Sequence, residues 1–402
     1  MQPAKVKTMQ CASNGGFRHA FGREVMRFAS RPLYLSLTLV IPVIIFGILI
    51  AIFSGQVPRN LPVIVYDADH SVLSRQLIRM MDAAPTVHIS TRVDSFSEGE
   101  ANILTGKAYA LIVVPHEFEK DVQRHRSPHV IEYYNYQYQV PAALIHSDMV
   151  AVFSTIAAGI KVKNRECHGE PTGTARDHVQ PVAMDFHALF NPWRNYVYFL
   201  VSPLLPTMMQ IFILLVTVYA IGIELKEGTA AEWLACAGGN TFKAIAAKQL
   251  PYMAVFGILG IFMNLILYVY LGVPTEGNMA LLFTATLFLI AAYQSVGLLI
   301  VSITANLRLA LSLAAFYAAP AFAFAGITYP TIGMTAFGRV WGTLLPLSHY
   351  LNIVCDQTLR GAPVRVSLEP LCVLLACAIL LPLIAIPRVQ KLMSDTRYWG
   401  RS

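Results

Sequence analysis

The sequence predicts an integral membrane α-helical protein with six transmembrane helices and an inserted extracytoplasmic α/β domain. Three observations predict this fold class. The chain is 55% hydrophobic and only 13% charged, whereas about a quarter of the residues are charged in a soluble globular protein. It contains six long apolar windows that are almost free of charge, and one polar stretch separates the first window from the second.

Each window is long enough to cross a bilayer, because a transmembrane helix needs about 20 mostly apolar residues for a hydrocarbon core of about 30 Å. The windows are 33–53, 196–222, 249–272, 278–303, 309–328 and 368–387. The first window exceeds the roughly 7–15 apolar residues of a secretory signal. No small-residue cleavage site follows it, so it is interpreted as an uncleaved membrane anchor.

The orientation follows from lysine and arginine, which concentrate on the cytoplasmic side of a membrane protein. Residues 1–32 contain six of these cations against Glu24 alone, and residues 388–402 contain four against Asp395. Both segments are therefore predicted to be cytoplasmic, as an even number of spans requires. The first is predicted to form an interfacial helix and the second a tail.

The polar stretch 54–195 has 13 lysines and arginines against 15 acidic residues, and it is predicted to fold outside the cytoplasm. Short β-branched runs at 61–67, 86–91 and 108–114 alternate with helical patterns at 71–81 and 97–105. Strands that alternate with helices predict a small α/β layer. A further helical run over 140–163 has too many polar residues to span lipid, and it is expected either to pack on this domain or to return the chain toward the membrane.

Several kinds of chemistry find no support in the sequence. The nearest approach to a phosphate-binding loop, Thr105–Ala108, lacks the hydroxyl residue and the upstream glycine of that motif. The pair His116-Glu117 begins like a zinc-protease helix, but Lys120 stands where the second histidine is needed. We therefore expect no metal site and no catalytic residue. Cys167 and Cys355 are the cysteines that could lie outside the cytoplasm, where a disulfide could persist. We expect them to remain unpaired.

The spans also argue against an ion-coupled carrier, because such proteins place ionisable residues inside the membrane, and these spans hold almost none. Their polar residues include Gln210, Asn264 and Gln294. Hydrogen bonds between helices are the favoured role for these side chains, and the alternative is that they line a path.

The segment 223–239 connects the second and third spans and carries four charged residues. Its pattern predicts a short helix that starts near Gly228-Thr229, with Thr229 as N-cap and Glu232 at the capping-box spacing. Trp233 and Leu234 would then form an apolar edge beside acidic residues, suited to a groove on a soluble partner.

This segment resembles the cytoplasmic coupling segment of ABC-2 type permeases, in which an acidic and basic cluster precedes Gly-Thr, a glutamate and a leucine. The matching residues are Glu224, Lys226, Glu227, Gly228, Thr229, Glu232 and Leu234. The family often has Thr or Ser followed by Pro where this chain has Ala237-Gly238. We call 223–239 the coupling segment.

The resemblance extends over essentially the whole chain. The residues 322–334 are similar to the end of the family's fifth span, where Gly326 and Pro330 introduce re-entrant helices, and 345–363, with Pro346, resembles the approach to the last span. The re-entrant region is expected over 329–366. The N-terminal helix also fits the family. Its apolar face comprises Phe17, Phe21, Val25 and Phe28, and its basic face comprises Arg23, Arg27 and Arg31. Such a helix lies in the membrane interface.

What the resemblance implies is a permease subunit of an ATP-binding cassette exporter in the bacterial inner membrane. Two permease chains, forming a homodimer or a heterodimer, would move an apolar or amphipathic substrate outward, while ATP and Mg are bound by a separate ATPase subunit and no cofactor by this chain. The extracytoplasmic domain would receive cargo or dock a periplasmic membrane-fusion adaptor. The net charge of +7 is explained by segments that face anionic lipid, so no nucleic-acid partner is expected.

Two other classes of protein fit the sequence less well. A six-span sensor or scaffold with an extracytoplasmic ligand-binding domain would need a substantial cytoplasmic output domain, yet only about 32 residues precede the first span and about 15 follow the last. A membrane-embedded enzyme would need acid, base, nucleophile or metal groups at the spans, and the sequence shows none there.

Overall fold

The computed structural model describes residues 15–124, 126–168, 171, 189–192 and 194–400. The chain divides into two compact units, Met1–Gln56 with Ala188–Ser402, and Val57–His187. The first is the helical unit and the second is the α/β unit. Each is described by itself.

The helical unit contains the apolar windows. Its helices are α1 (Phe17–Ser30), α2 (Pro32–Ile52), α7 (Val197–Glu227), α8 (Ala230–Cys236), α9 (Thr241–Tyr270), α10 (Met279–Thr304), α11 (Leu307–Phe324), α12 (Ala336–Leu344), α13 (Pro346–Thr358) and α14 (Val364–Ser394). In the part of the chain that the structure describes, seven helices are long and apolar enough to cross a membrane. Six of them correspond to the predicted windows, and the seventh belongs to the α/β unit.

Helices α7 and α10 form the centre of the helical unit. Their side chains are mostly buried inside the protein, whereas α2 and α14 keep many apolar side chains exposed. Exposed apolar side chains on a membrane helix are those that lipid can cover. Helix α14 continues to Ser394, so the predicted tail 388–402 is largely helical and packed; Arg401 and Ser402 lie outside the described residues.

Buried polar side chains join the helices, and the hydrogen-bonding role predicted for them is the one observed. Gln210 Nε2 donates to the Ala318 carbonyl at 3.3 Å, and Asn264 Nδ2 donates to Thr286 Oγ1 at 3.3 Å. Gln294 Nε2 donates to the Gln249 carbonyl at 3.1 Å. These bonds cross between helices, where no water competes for the polar groups.

A proline in α14 is matched by a donor on α10. Pro382 has no N–H for the carbonyl of Ala378, four residues earlier. The Ser295 hydroxyl of α10 donates to that carbonyl at 3.1 Å. The proline therefore leaves no unsatisfied acceptor at this position.

The chain between α11 and α14 is broken into short helices. Gly326 has a φ of +83°, a left-handed conformation that favours glycine, and it follows the end of α11. Pro330 precedes a short 3-10 helix, Thr331–Gly333, and Pro346 is the first residue of α13, where a proline loses no helical hydrogen bond.

The C-terminal end of α13 is tied to the loop that precedes α10. The Gln357 side chain accepts a hydrogen bond from the Asn278 N–H at 2.9 Å, and its amide donates to Ser367 Oγ at 2.9 Å. The Gly277 N–H donates to the Gln357 carbonyl at 2.9 Å. Three segments are thus joined at this end of the helical unit.

The α/β unit is built on a four-stranded sheet. Its elements are β1 (Leu61–Asp67), α3 (Val72–Asp82), β2 (Val87–Val93), α4 (Phe96–Leu104), β3 (Ala110–Val114), α5 (Phe118–Gln123), β4 (Ile131–Tyr134) and α6 (Gln139–Cys167). The strand order is β2-β1-β3-β4, with β4 antiparallel to β3 and the other pairs parallel. The three predicted strands are present, and α5 and β4 were not predicted.

Apolar side chains cover both faces of the sheet. One face packs Val63, Val65 and Ile112 against α3 and α6, and the other packs Ile64 and Leu111 on the α4 side. The two parallel connections therefore lie on opposite faces, as right-handed crossovers require when the chain reverses direction along the sheet.

Helix α6 corrects one sequence argument. The run 140–163 was judged too polar to span lipid, yet α6 is among the seven helices that qualify by length and composition. The reason is that its charged residues concentrate near its C-terminal end, after a long apolar stretch. The first half packs on the sheet, where Leu144, Ile145 and Met149 are buried.

Candidate functional site

The coupling segment is a helix end, a glycine and a second short helix. Helix α7 ends at Glu227, and Gly228 adopts a φ of +71°. The Gly228 N–H donates to the Leu225 carbonyl at 3.3 Å and the Thr229 N–H to the Glu224 carbonyl at 2.9 Å. This is the pattern of a Schellman motif, so the glycine is required for the chain to turn into α8.

Glu224 is the centre of an ionic cluster and is fully buried. Arg23 from α1 donates to this carboxylate through Nη1 and Nη2 of its guanidinium, at 2.8 and 3.0 Å. Arg27, one turn later on α1, donates to the same carboxylate, as does the Thr229 hydroxyl. A bidentate arginine fixes the orientation of a carboxylate as well as neutralising it.

A buried lysine adds a third helix to this cluster. Lys248 Nζ of α9 lies 2.9 Å from Glu224 Oε1 and 2.6 Å from Glu24 Oε2. The Tyr252 hydroxyl donates to the other Glu24 oxygen at 2.7 Å. Lys248 and Glu24 are each only 1% exposed. Each buried charge thus has partners of opposite sign, which is the condition under which buried charges are tolerated.

Glu227 extends the cluster to the surface. It accepts from Arg27 Nη2 at 2.5 Å and from Arg31 Nη2 at 3.0 Å. Burial alone would lower the pKa of Arg27, but the nearby Glu224 carboxylate raises this pKa above its usual value. Burial likewise opposes the charge on Arg31, and its hydrogen bond to Glu227 raises the pKa. Both arginines therefore stay charged at any physiological pH. We define the ionic cluster as Arg23, Glu24, Arg27, Arg31, Glu224, Glu227 and Lys248.

The C-terminal residues contact the coupling segment from another side. The Gly400 N–H donates to the Leu225 carbonyl at 3.0 Å. The Trp399 indole donates to the Leu392 carbonyl at 3.0 Å, and a Cβ added at Gly228 would lie 3.9 Å from the indole ring. The end of the chain therefore packs on the turn between α7 and α8.

Trp233 is part of the interior and not of an exposed edge as predicted. It is buried, its indole donates to the Ala244 carbonyl at 3.0 Å, and Lys248 Nζ lies 4.9 Å from its ring centroid. Leu234 is half-buried. The exposed aromatic residue at this end is instead Phe242 in the first turn of α9, which is 65% exposed.

The other residues of the predicted coupling set divide by burial. Glu224 is buried, Gly228 and Thr229 are half-buried, and Lys226, Glu227 and Glu232 are exposed. Thr229 is the N-cap of α8, but its hydroxyl donates to Glu224 and makes no cap hydrogen bond. The predicted capping box with Glu232 is therefore wrong, because the buried carboxylate captures the threonine.

The basic face of α1 has partners within the protein. Arg23, Arg27 and Arg31 of the predicted interfacial helix face the carboxylates of Glu224 and Glu227. Sequence reasoning missed Glu24 and Lys248 as members of the site. The available signals were a lone acid among arginines and a lone lysine one residue before the apolar window 249–272.

Gly326, Pro330 and Pro346 do not join this site. Helix α11 begins beside the coupling end, where a Cβ on Gly222 would meet Leu307 at 2.7 Å. At 1.5 Å per residue the 18 residues of α11 span about 27 Å, so Gly326 lies at the far end of the helical unit.

In the described part of the α/β unit, the zinc-protease-like residues make ordinary contacts. Lys120 Nζ binds Glu117 at 3.1 Å, so the zinc-protease-like pair is occupied by an ordinary ion pair. Within the described ranges, no group of three or more His, Cys, Asp or Glu side chains could hold a metal ion. Cys167 and Cys355 are both free thiols.

A scan against protein families agrees with the sequence motifs. The family model described as "ABC-2 family transporter protein" matches residues 32–386, which is most of the chain. No curated protein matches the chain. The match begins at the first apolar helix, includes the coupling segment and ends within α14. The chain is therefore a multi-pass membrane protein that belongs to the ABC-2 family of transporter permeases.

Proposed function

We propose that this chain is the membrane subunit of an ATP-driven exporter in a bacterial inner membrane, and that it acts as a dimer. Six of its helices would cross the membrane, with both termini and the coupling segment in the cytoplasm and the α/β unit outside. ATP and Mg would be bound by a separate ATP-binding cassette subunit, as membership of this family implies. The substrate class is apolar or amphipathic, in keeping with the scarcity of charge in the spans.

The observation that carries this proposal is the way the coupling segment is held. A loop that only connects two spans needs no buried ion pairs, and burying charge is costly unless the pairing is complete. Here α1, α7 and α9 all contribute to the ionic cluster that anchors the segment. A force applied to α8 would therefore reach three helices together and would not be absorbed by a flexible loop.

The docking surface is the outer side of α8 and the start of α9. Ala231, Glu232 and Ala235 share an exposed side of α8, and Phe242 and Lys243 are exposed next to it. A small-residue face beside an exposed aromatic side chain fits a groove on a soluble partner. Glu224 would act from inside, by anchoring this surface.

A co-purification experiment tests the proposal. The full chain is purified in mild detergent as wild type, as Glu232→Arg and as the control Glu276→Arg, and partners are identified by mass spectrometry and an ATPase assay. Glu276 is also exposed but lies in the loop before α10, at the other end of the helical unit. We expect an ATP-binding subunit with the wild type and the control, and its loss with Glu232→Arg.

The outcomes separate the alternatives. If no ATPase accompanies the folded wild type in several detergents, the exporter assignment fails and a sensor or scaffold takes its place. If the ATPase stays bound to Glu232→Arg with undiminished activity, the exporter assignment stands and the docking surface is elsewhere. We avoid Glu227→Arg in this test because Glu227 binds Arg27 and Arg31, and its reversal would disturb α1.

A further inference from the structure

One edge of the sheet in the α/β unit has backbone groups that are open to pairing. Strand β4, Ile131–Tyr134, is the last strand of the order β2-β1-β3-β4. Its sequence IEYY has no lysine and no proline, two residues with which native edge strands block pairing. Strand β2 at the other edge carries an exposed Arg92, and a register shift interrupts its pairing with β1. The two edges of the same sheet therefore differ.

The backbone register shows which groups of β4 point outward. The Asn135 N–H donates to the Tyr109 carbonyl at 2.8 Å, so residue 135 forms a hydrogen-bonded pair with residue 109. Hydrogen-bonded and non-hydrogen-bonded pairs alternate along an antiparallel ladder. Residues 133 and 131 therefore also direct their N–H and C=O groups toward β3. The N–H and C=O groups of Glu132 and Tyr134 therefore face away from the sheet, and they have no backbone partner among the described residues.

The side chains around this edge are mainly aromatic. Tyr133, Tyr134, Tyr136 and Tyr138 are 39% to 61% exposed, and Ile131 is 46% exposed. The one charged side chain, Glu132, is turned toward α6, where His146 Nδ1 lies 2.9 Å from its carboxylate. Tyrosine is enriched at the centres of protein interfaces.

We propose that β4 pairs antiparallel with β4 of a second copy of this chain, which joins the two α/β units through a continuous sheet. A twofold axis brings identical surfaces together, so like charges would face each other. The one charged residue of β4, Glu132, is turned toward α6 and does not lie opposite its counterpart in the register given below, so this repulsion is avoided. This inference rests on the dimer of the proposed function and adds the surface at which the α/β units meet.

The register of the pairing follows from the outward groups. Glu132 of one copy pairs with Tyr134 of the other, which gives about four backbone hydrogen bonds around the axis. Tyr133 then faces its own counterpart in a non-hydrogen-bonded pair, with Cα atoms about 4.5 Å apart. A contact this small lies below the roughly 1,200 Å² of a stable interface. It forms because the membrane helices already hold the copies at high effective concentration.

Disulfide cross-linking in membranes tests this register. Tyr133→Cys is placed in a Cys167→Ser background, so that the exposed thiol of the α/β unit is removed, and two differently tagged copies are co-expressed. A Cα separation of about 4.5 Å is within the range that a disulfide spans. Oxidation is expected to shift Tyr133→Cys to the mobility of a dimer that carries both tags. The matched control Tyr136→Cys is more exposed, at 61% against 44%, but lies off the axis and is expected to stay monomeric.

A second variant tests the backbone. Proline at position 134 removes only an outward N–H, and proline is tolerated on edge strands for this reason. Adding Tyr134→Pro to Tyr133→Cys is expected to abolish the cross-link while the two tags still co-purify. If the tags co-purify but Tyr133→Cys gives no cross-link, the paired edge is wrong and the dimer stands. If Tyr133→Cys cross-links a protein of another mass, the edge belongs to that partner. If the tags do not co-purify, the dimer itself is refuted.

Discussion

At the scale of single residues, Lys248 determines how the coupling segment is held. It is the residue that contacts both Glu24 on α1 and Glu224 on α7, and its ammonium also lies over the Trp233 ring. A lysine with 1% exposure would be unfavourable without these partners. The lysine and the two glutamates therefore depend on one another.

We expect Lys248→Met to destabilise the protein strongly. Removing one partner of a buried ion pair costs about 3–5 kcal/mol, because the remaining charge stays buried. The measurement is the thermal unfolding temperature of the full chain in detergent, followed by fluorescence-detected gel filtration. Lys243→Met on the same helix is the control, since Lys243 is exposed.

The double variant Lys248→Met with Glu24→Gln separates charge from packing. If the unpaired charge causes the loss of stability, neutralising Glu24 should raise the unfolding temperature part of the way back to that of the wild type. An unfolding temperature of Lys248→Met equal to that of Lys243→Met would contradict the central place of this lysine in the ionic cluster.

At the scale of elements, the coupling segment is determined by how three chain segments end. Helix α7 ends at Gly228 through its left-handed conformation, and α8 follows without a long loop. Helix α1 contacts the segment through its arginine face, and the C-terminal residues contact it through Trp399 and Gly400. The segment is thus held between the two ends of the chain.

Deleting residues 396–402 should loosen the coupling segment. The Leu225 carbonyl would lose its hydrogen bond from Gly400, and the turn at Gly228 would lose the cover of Trp399. We expect faster hydrogen exchange in peptides from residues 223–239, measured by mass spectrometry on the full chain in detergent. Deletion of 401–402 alone keeps both contacts and serves as the control. Equal exchange in the two deletion variants would show that the C-terminal contact does not hold the segment.

At the scale of the whole molecule, the helical unit and the α/β unit have separate cores. The helical core is built from the buried sides of α7, α9 and α10, and the α/β core lies on the two faces of the sheet. The proposed arrangement in the membrane places these cores in different environments, with the coupling segment and the α/β unit on opposite sides. The side of the membrane on which each of these parts lies can be tested by labelling cysteine thiols.

Cys167 provides a native probe of topology, since it is an exposed free thiol at the end of α6. We expect a membrane-impermeant maleimide to label Cys167 in spheroplasts without detergent. A cysteine introduced at Glu232 in a Cys167→Ser background should react only after the membrane is opened. Labelling of the Glu232→Cys site from outside would reverse the orientation and remove the coupling segment from the cytoplasm.

The sequence by itself determined the class of the protein, the apolar helices, the alternation of strands and helices, and the short helix that follows Gly228. These features are local, because hydropathy over about 20 residues and turn chemistry over four or five residues are written in consecutive positions. Gly228 is an example, since a glycine after a helix already predicts the turn that the structure contains.

Only the tertiary structure determined the partners of the charged residues. Glu24 and Glu224 are 200 positions apart along the chain, and nothing local indicates that Lys248 lies between their carboxylates. The same limit explains why Thr229 was assigned to a capping box and Trp233 to a surface, since both side chains follow long-range contacts. Strand β4 was missed for a similar reason: its four residues pair with a strand some 20 positions away, and the edge they create exists only once the sheet is formed.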